Sequence, residues 1–332
     1  MKLLAILILN AFLLVLFFNA CKEQNNPEQK TGLYSINVDG SGEMQLVNGS
    51  VGSYYFIEGD KIIYDYISSM NIDGTDQHKI IPSNVFSDNN VPGDFSISPS
   101  RNKIVFSSSQ ISPKASYLYL MNVDGSVFNK ISILDTLSNK SSPQFSYDGN
   151  NIVFTTTYGI YESNVDGANL RKLLSNHLQK NLSYIQPSFS PDDKNIIYVE
   201  YNDSTGKFVS LHLMNISSLK DTIIYSSINS YQFYYEVSPD YFVLFVIGSS
   251  IIEVNLKDLS KQILDTGTDA HYSPDFSYIT YIDPNNTSID VYNLTTENIQ
   301  NIKIPGRFSS IAEPKLSPNH QEVIFLGGKY SF

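Results

Sequence analysis

Tryptophan is absent from this chain of 332 residues, cysteine occurs once, and the only arginines are Arg101, Arg171 and Arg307. The missing tryptophan excludes repeat motifs built on that ring. A lone cysteine, Cys21, excludes an internal disulfide framework and any cysteine-based zinc site. Basic residues are scarce as well: Lys+Arg 22 against Asp+Glu 33 leaves a net charge of -11. Phosphate neutralisation needs a basic face, so the balance argues against nucleic acid as a partner. The longest apolar run falls short of the roughly 20 residues of a membrane-spanning helix. What remains is ordinary for a globular protein, at 42% hydrophobic and 17% charged, with 13% aromatic residues from Tyr 23 and Phe 19.

The apolar run lies at the start. Met1-Lys2 is a short positive segment, and Leu3 to Phe18 is apolar except for Asn10. This reads as a secretory signal over residues 1–20. Cys21 follows directly after Asn19-Ala20, and the arrangement resembles a bacterial lipoprotein signal, in which the cysteine is lipidated and becomes the first mature residue. The resemblance implies that Cys21 is a lipid anchor and that the protein is an outer-membrane lipoprotein of a Gram-negative bacterium, on the periplasmic or the surface side. Residues 21–32, polar with one proline, read as the anchor and a flexible tether.

From residue 33 the chain repeats itself. One unit is a turn ahead of a short apolar strand: Ser98-Pro99-Ser100, Ser146-Tyr147-Asp148, Ser190-Pro191-Asp192, Ser238-Pro239-Asp240, Ser273-Pro274-Asp275 and Ser317-Pro318-Asn319. Six residues after each serine stands an aliphatic (Ile104, Ile152, Ile196, Leu244, Ile279, Val323). Eight after it stands Phe106, Phe154, Tyr198, Val246, Tyr281 or Phe325, and a degenerate copy carries Ile62 and Tyr64. Serine can bond back onto the turn, proline presets φ, and the alternate positions share one face of a strand.

A second unit interleaves with the first, as Asn37-Val38-Asp39-Gly40, Asn71-Ile72-Asp73-Gly74, Asn122-Val123-Asp124-Gly125 and Asn164-Val165-Asp166-Gly167. It decays to Asn215-Ile216, Asn255-Leu256 and Asn293-Leu294. Asp-Gly between apolar runs marks a hairpin, because glycine supplies positive φ. The return strands are expected to carry Leu46, Ile80, Ile131, Leu173, Ile223, Ile263 and Ile302.

Two hairpins per repeat, at a period of 34 to 51 residues, make a four-stranded blade of an all-β fold, the β-propeller. The markers predict seven blades over residues 33–332. Six is the alternative, should the compressed repeat at 53–81 be displaced. Because the chain opens on a second hairpin and closes on a first, the N-terminal strands are expected to pair with the C-terminal hairpin and close the ring.

The succession Ser-Pro-Asp-Gly, Ile-x-Phe, Asn-x-Asp-Gly resembles the WD-like propeller repeats of TolB and related bacterial envelope proteins, over about residues 33 to 332. It departs from true WD repeats, which need a Trp-Asp pair. It also departs from TolB in showing no separate domain ahead of the propeller, so a TolB-like role in a trans-envelope machine is not implied.

Propeller connectivity puts the turns within each first and second hairpin on one face. The joins between hairpins and between blades lie on the other, where sequence and length vary. Variable loops on a rigid scaffold are where binding resides. The aromatics near these joins form the candidate ligand-binding face: Tyr158, Tyr184, Tyr201, Phe208, Tyr231, Phe233 and Tyr234, with Arg307. The competing reading is that alternate members of the cluster pack between blades.

Catalytic and metal patterns are not found in the sequence. A calcium loop would need a carboxylate seven residues after the turn aspartates, where Leu46, Ile80, Ile131 and Leu173 stand. None of His78, His177, His212, His271 and His320 has metal-ligand spacing, and neither a nucleophile elbow nor a phosphate loop occurs. No cofactor is expected. The reading is a non-enzymatic, lipid-anchored scaffold that binds an envelope protein. The alternatives are a surface glycan-binding lipoprotein and, further off, a propeller lyase or peptidase.

Overall fold

A computed structural model describes residues 31–49, 51, 55–64, 67–81, 90–110, 115–133, 137–177, 180–306 and 308–328. Cys21, the signal segment and Arg307 lie outside these residues. Blade 1 is shared by the two ends of the chain. β27 (Ser310–Leu316) and β28 (Glu322–Gly328) are its inner strands, and β1 (Gly32–Asn37) and β2 (Met44–Asn48) its outer ones. Blade 2 holds β3 (Tyr55–Glu58), β4 (Lys61–Tyr64), β5 (Ser68–Asn71) and β6 (His78–Lys79). Blade 3 holds β7 (Asn90–Ile97), β8 (Lys103–Gln110), β9 (Ala115–Asn122) and β10 (Asn129–Lys130). In blade 4 these are β11 (Ser141–Phe145), β12 (Asn151–Thr156), β13 (Gly159–Asn164) and β14 (Arg171–Ser175). Blade 5 contains β15 (Leu182–Phe189), β16 (Asn195–Asn202), β17 (Lys207–Asn215) and β18 (Asp221–Ser230). Blade 6 comprises β19 (Tyr235–Val237), β20 (Phe242–Ile247), β21 (Ser250–Asn255) and β22 (Lys261–Thr266). Blade 7 comprises β23 (Thr268–Tyr272), β24 (Tyr278–Ile282), β25 (Ser288–Asn293) and β26 (Ile299–Lys303).

The chain is therefore a seven-bladed β-propeller, and the six-bladed alternative falls because the compressed repeat forms a complete sheet of its own. Closure is as expected: β1 runs antiparallel to β28 from Gly32↔Gly327 to Asn37↔Glu322. The core is divided into seams, each drawn from two adjacent blades, with Ile36 and Ile289 meeting in one and Leu33 and Ile62 in the next. Among the described residues seven such seams run around the ring, one on each side of every blade.

The turn signatures do their predicted work. The Oγ of Ser98, Ser146, Ser190, Ser238, Ser273 and Ser317 each accepts from the backbone N–H at the start of the following strand, at 2.9 to 3.2 Å. In the second hairpins the Asp39, Asp73, Asp124 and Asp166 carboxylates accept from the N–H two residues on, and the glycine between has φ from 81 to 90°.

Three expectations of which residues go inside are corrected. Ile223 and Ile263 are exposed, whereas Ile224 is buried and Leu264 half-buried. Their turns are one residue longer, closing from the Asn215 N–H to the Lys220 carbonyl where the Asn37 N–H reaches only Ser41. Even so, the inward position is nine residues after the asparagine in every copy (Leu46, Ile80, Ile131, Leu173, Ile224, Leu264 and Ile302), and Ile223 and Ile263 stand one residue short of it. Likewise the Ser238 turn is one residue shorter, closing on Phe242, so Phe245 takes the core position expected for Val246, which is half-buried.

Candidate functional site

The join-side aromatics divide into two groups. Tyr184 and Phe233 are buried: Tyr184 packs edge-on to Tyr198 in the seam between blades 4 and 5, and Phe233 packs near Phe245 in the next seam. These two are corrected from face to core, because their rings pack against residues of the neighbouring blade in the seams. Tyr201 and Phe208 are half-buried and stand edge-to-face at 5.3 Å, with Phe208 reaching Phe233 at 6.0 Å. Tyr158 and Tyr231 are open to solvent, 44% and 69% exposed, and Lys207 lies 4.7 Å from the centre of the Tyr231 ring. Tyr234 does not join them; it turns inward.

Tyr234 belongs to an arrangement that motif searching missed. Two and four residues before each turn serine, the inner strands carry polar side chains where a buried strand would be apolar. The pairs are Asp94/Ser96, Ser142/Gln144, Gln186/Ser188, Tyr234/Glu236, Asp269/His271 and Glu313/Lys315. That regularity is legible in the sequence once the serines are aligned. The backbone at Ser142, Gln186, Asp269 and Glu313 has φ of 48 to 53°, and each sits at a register shift of its strand. Such bulges re-aim a side chain and keep company with proline, here Pro143, Pro187 and Pro314.

In blades 6, 7 and 1 the re-aimed groups are charged and meet. His271, buried, holds Glu236 Oε1 at 2.6 Å from Nδ1, and Glu313 Oε2 lies 3.2 Å from Nε2. Lys315 Nζ is 3.4 Å from the same Glu313 oxygen. Glu236 also accepts from the Tyr272 N–H at 2.9 Å. The Tyr234 hydroxyl donates to Asp269, and its ring stacks parallel to His271 at 5.8 Å. Burial disfavours the imidazolium and Lys315 opposes it, yet the Glu313 and Glu236 carboxylates outweigh both and hold the His271 pKa up at about 9. Burial likewise opposes the Glu313 carboxylate, but His271 and Lys315 bring its pKa down to about 2. Glu236 is lowered too, against burial, mainly by His271. The result is a charged clasp tying the inner strands of three blades.

The turn face is tied differently. Asp193 of blade 5 accepts from the Tyr147 and Asp148 N–H groups of blade 4 at 2.7 and 2.9 Å, and the Tyr147 hydroxyl reaches past blade 5 to the Val237 carbonyl at 3.2 Å. Burial, helped by Asp193, raises the Tyr147 phenol to about 12.

One further constellation has the distances of a nucleophilic triad. Ser210 Oγ is 2.8 Å from His212 Nε2, and His212 Nδ1 is 2.8 Å from Asp221 Oδ2. It lies within a sheet: Ser210 is buried in β17 between its partners Glu200 and Ser226. A Tyr198 ring covers His212 at 4.9 Å. Oxyanion stabilisation needs backbone donors aimed at a reacting atom, and these strands spend theirs on the ladder. Among the described residues, no three His, Cys, Asp or Glu side chains converge as metal ligands.

No protein-family model matches the sequence, and no curated protein does. Solved structures do match. One is an oligogalacturonate lyase in complex with manganese, at 11% identity and TM-score 0.59, covering 90% of this chain and 82% of that one. A puromycin-hydrolysing peptidase from Mycobacterium tuberculosis matches at 12% identity and TM-score 0.61. That match covers 80% of this chain but 48% of the peptidase, so this chain spans about half its length. TolB from Acinetobacter baumannii matches at 14% identity and TM-score 0.49, covering 86% and 66%. The likeness is one of fold. Enzymes and non-enzymes share the propeller, and at these identities the fold alone carries over.

Proposed function

We propose that this chain is a lipid-anchored binding module of a bacterial cell envelope, held to the outer membrane through Cys21 and engaging a protein partner with its join face. The observation that carries the reading is the contrast between the two faces. Stereotyped turns cross-link neighbouring blades on one face, through Asp193 and Tyr147. The other offers variable loops with Tyr158 and Tyr231 exposed. Tyrosine pairs a large apolar surface with a hydroxyl, which suits a protein interface, and a rigid ring spends little entropy on presenting it.

The test is affinity capture with the lipidated protein from envelope extract, comparing wild type with a Tyr158→Ala/Tyr231→Ala variant. One stoichiometric envelope protein that the variant loses supports the reading; identical capture by both rejects it. Cys21→Ser is expected to leave the membrane fraction, and its continued sedimentation with membranes would reject the anchor. A glycan-binding reading is favoured by Tyr158, whose exposed ring could stack on a sugar. Binding to a glycan array that Tyr158→Ala abolishes would select it.

A further inference from the structure

We infer that a cavity on the blade 6 side of blade 7 binds a small zwitterion of the α-amino acid type, with its ammonium on Asp290 and its carboxylate on Lys303. This site goes beyond the join-face reading and does not depend on the anchor.

The cavity lies where other blades stack a second ring. Each blade carries a rank of three residues, directly opposite one another on its second, third and fourth strands, on the side of the preceding blade. In four blades the first two members are stacked rings: Phe325 on Tyr34, Phe106 on Tyr119, Phe154 on Tyr161 and Tyr198 on His212. Their planes lie 15 to 24° apart. Blade 6 sets Phe245 against Ile252, and blade 2 sets Tyr64 against the buried Ser68. In blade 7 the rank reads Tyr281, Asp290, Asn301. A carboxylate is smaller than the ring it replaces, and a cavity of about 540 Å³ opens beside it. Small-molecule sites occupy about 300–1,000 Å³.

The polar groups around the cavity differ in what they have left to offer. Asp283, buried, accepts from the backbone N–H groups of Asn285, Thr287 and Ser288 at 2.6 to 3.0 Å and so shapes its own loop. Asp265 of blade 6 accepts from the Tyr281 hydroxyl and the Thr266 N–H. Asp290 keeps one oxygen in hand. Its Oδ1 accepts from Asn301 Nδ2 at 2.6 Å and from Ser288 Oγ at 3.4 Å, whereas Oδ2 has no hydrogen bond among the described residues. Lys303, exposed, lies opposite Ser288 and therefore diagonal to Asp290, and it makes no ion pair among the described residues. Diagonal positions across a ladder stand about 7 Å apart. Both residues line the cavity, so one molecule with an ammonium and a carboxylate close together meets both, and Ile304 gives its side chain an apolar wall. Burial raises the Asp290 carboxylate above its usual range, and Asp283 and Asp265 add to this against the Asn301 hydrogen bond. A cation set on Oδ2 offsets that cost.

Isothermal titration calorimetry on the full chain in detergent, with each common amino acid in turn as titrant, is expected to show binding of at least one. N-acetylation of that amino acid removes its ammonium, and amidation removes its carboxylate. Each change should weaken binding by about tenfold or more, as should Asp290→Asn and Lys303→Met respectively. Asp290→Tyr restores the ring of the other blades and should fill the cavity, abolishing binding while the thermal transition stays cooperative. Asp290→Asn keeps the side chain's shape, so it decides the question even where the larger ring disturbs the fold. Binding of no amino acid overturns the proposal. Equal binding of the capped forms overturns the zwitterion, and binding that survives Asp290→Asn overturns the site.

Discussion

The buried His271 clasp makes stability depend on pH in a direction that follows from its geometry. An exposed histidine titrates near 6.5, and Glu313 and Glu236 raise His271 to about 9. A group whose folded pKa lies above its unfolded value stabilises fully below the unfolded value and loses that contribution as pH rises through the folded one. The difference of about 2.5 units corresponds to about 3 kcal/mol, at 1.36 kcal/mol per unit. That is a large part of the 5–15 kcal/mol typical of a folded domain. Glu313 behaves oppositely. Its pKa is lowered to about 2, so its contribution is present above about 4.5 and lost as pH falls toward 2. The His271–Glu313 attraction is one interaction seen from both ends, so the two figures are not summed. Urea unfolding followed by circular dichroism at pH 6, 7.5 and 9.5 should show wild type losing about 3 kcal/mol across the range, and His271→Gln losing almost none. Equal loss in both proteins, or none in wild type, would refute the clasp as the origin of the dependence.

Three further outcomes follow from the packing. Gly167 has φ +90°, and a Cβ there would stand 2.7 Å from the Ser132 carbonyl oxygen of the preceding blade; at Gly40, φ +83°, nothing lies within 4 Å. Gly40→Ala should therefore cost about 1 kcal/mol and Gly167→Ala about 2 kcal/mol more, and equal melting temperatures would contradict the close approach. Tyr147→Phe removes one hydrogen bond and should cost about 1 kcal/mol, whereas Asp193→Ala leaves two N–H groups without their carboxylate and should cost about twice that; the reverse order would mean that Asp193 does not hold blades 4 and 5 together. Deleting residues 33–46 takes away β1 and most of β2 and uncovers two seams at once, so cooperative thermal unfolding should be lost; an unchanged transition would contradict closure through blade 1.

Blade number, blade order and ring closure were legible because each rests on local chemistry. A serine that bonds back onto its turn and a glycine at positive φ act within a few residues, and they recur at a countable period. Exact register was the limit of that reading. Ile223 and Ile263 stand eight residues after their asparagines, one short of the inward position, and the one residue fewer after Ser238 moved the core position from Val246 to Phe245. A period-two pattern exchanges its faces with every single-residue shift. The fate of the join-side aromatics was not legible for a related reason. Tyr158 and Tyr231 are exposed while Tyr184 and Phe233 are buried, and whether a ring at the mouth of a blade is covered depends on the neighbouring blade.

By itself, then, the sequence determined a closed ring of seven four-stranded sheets, because turn chemistry and strand alternation are properties of short segments. The tertiary structure decided which polar residues became neighbours. Glu236, His271 and Glu313 lie 35 and 42 residues apart along the chain (271 − 236 and 313 − 271) and are brought within bonding distance by adjacent inner strands. Nothing within one repeat says that a bulge will aim Glu313 at an imidazole in the preceding blade, because the partner, and the low dielectric that makes the contact strong, exist only after the ring has closed.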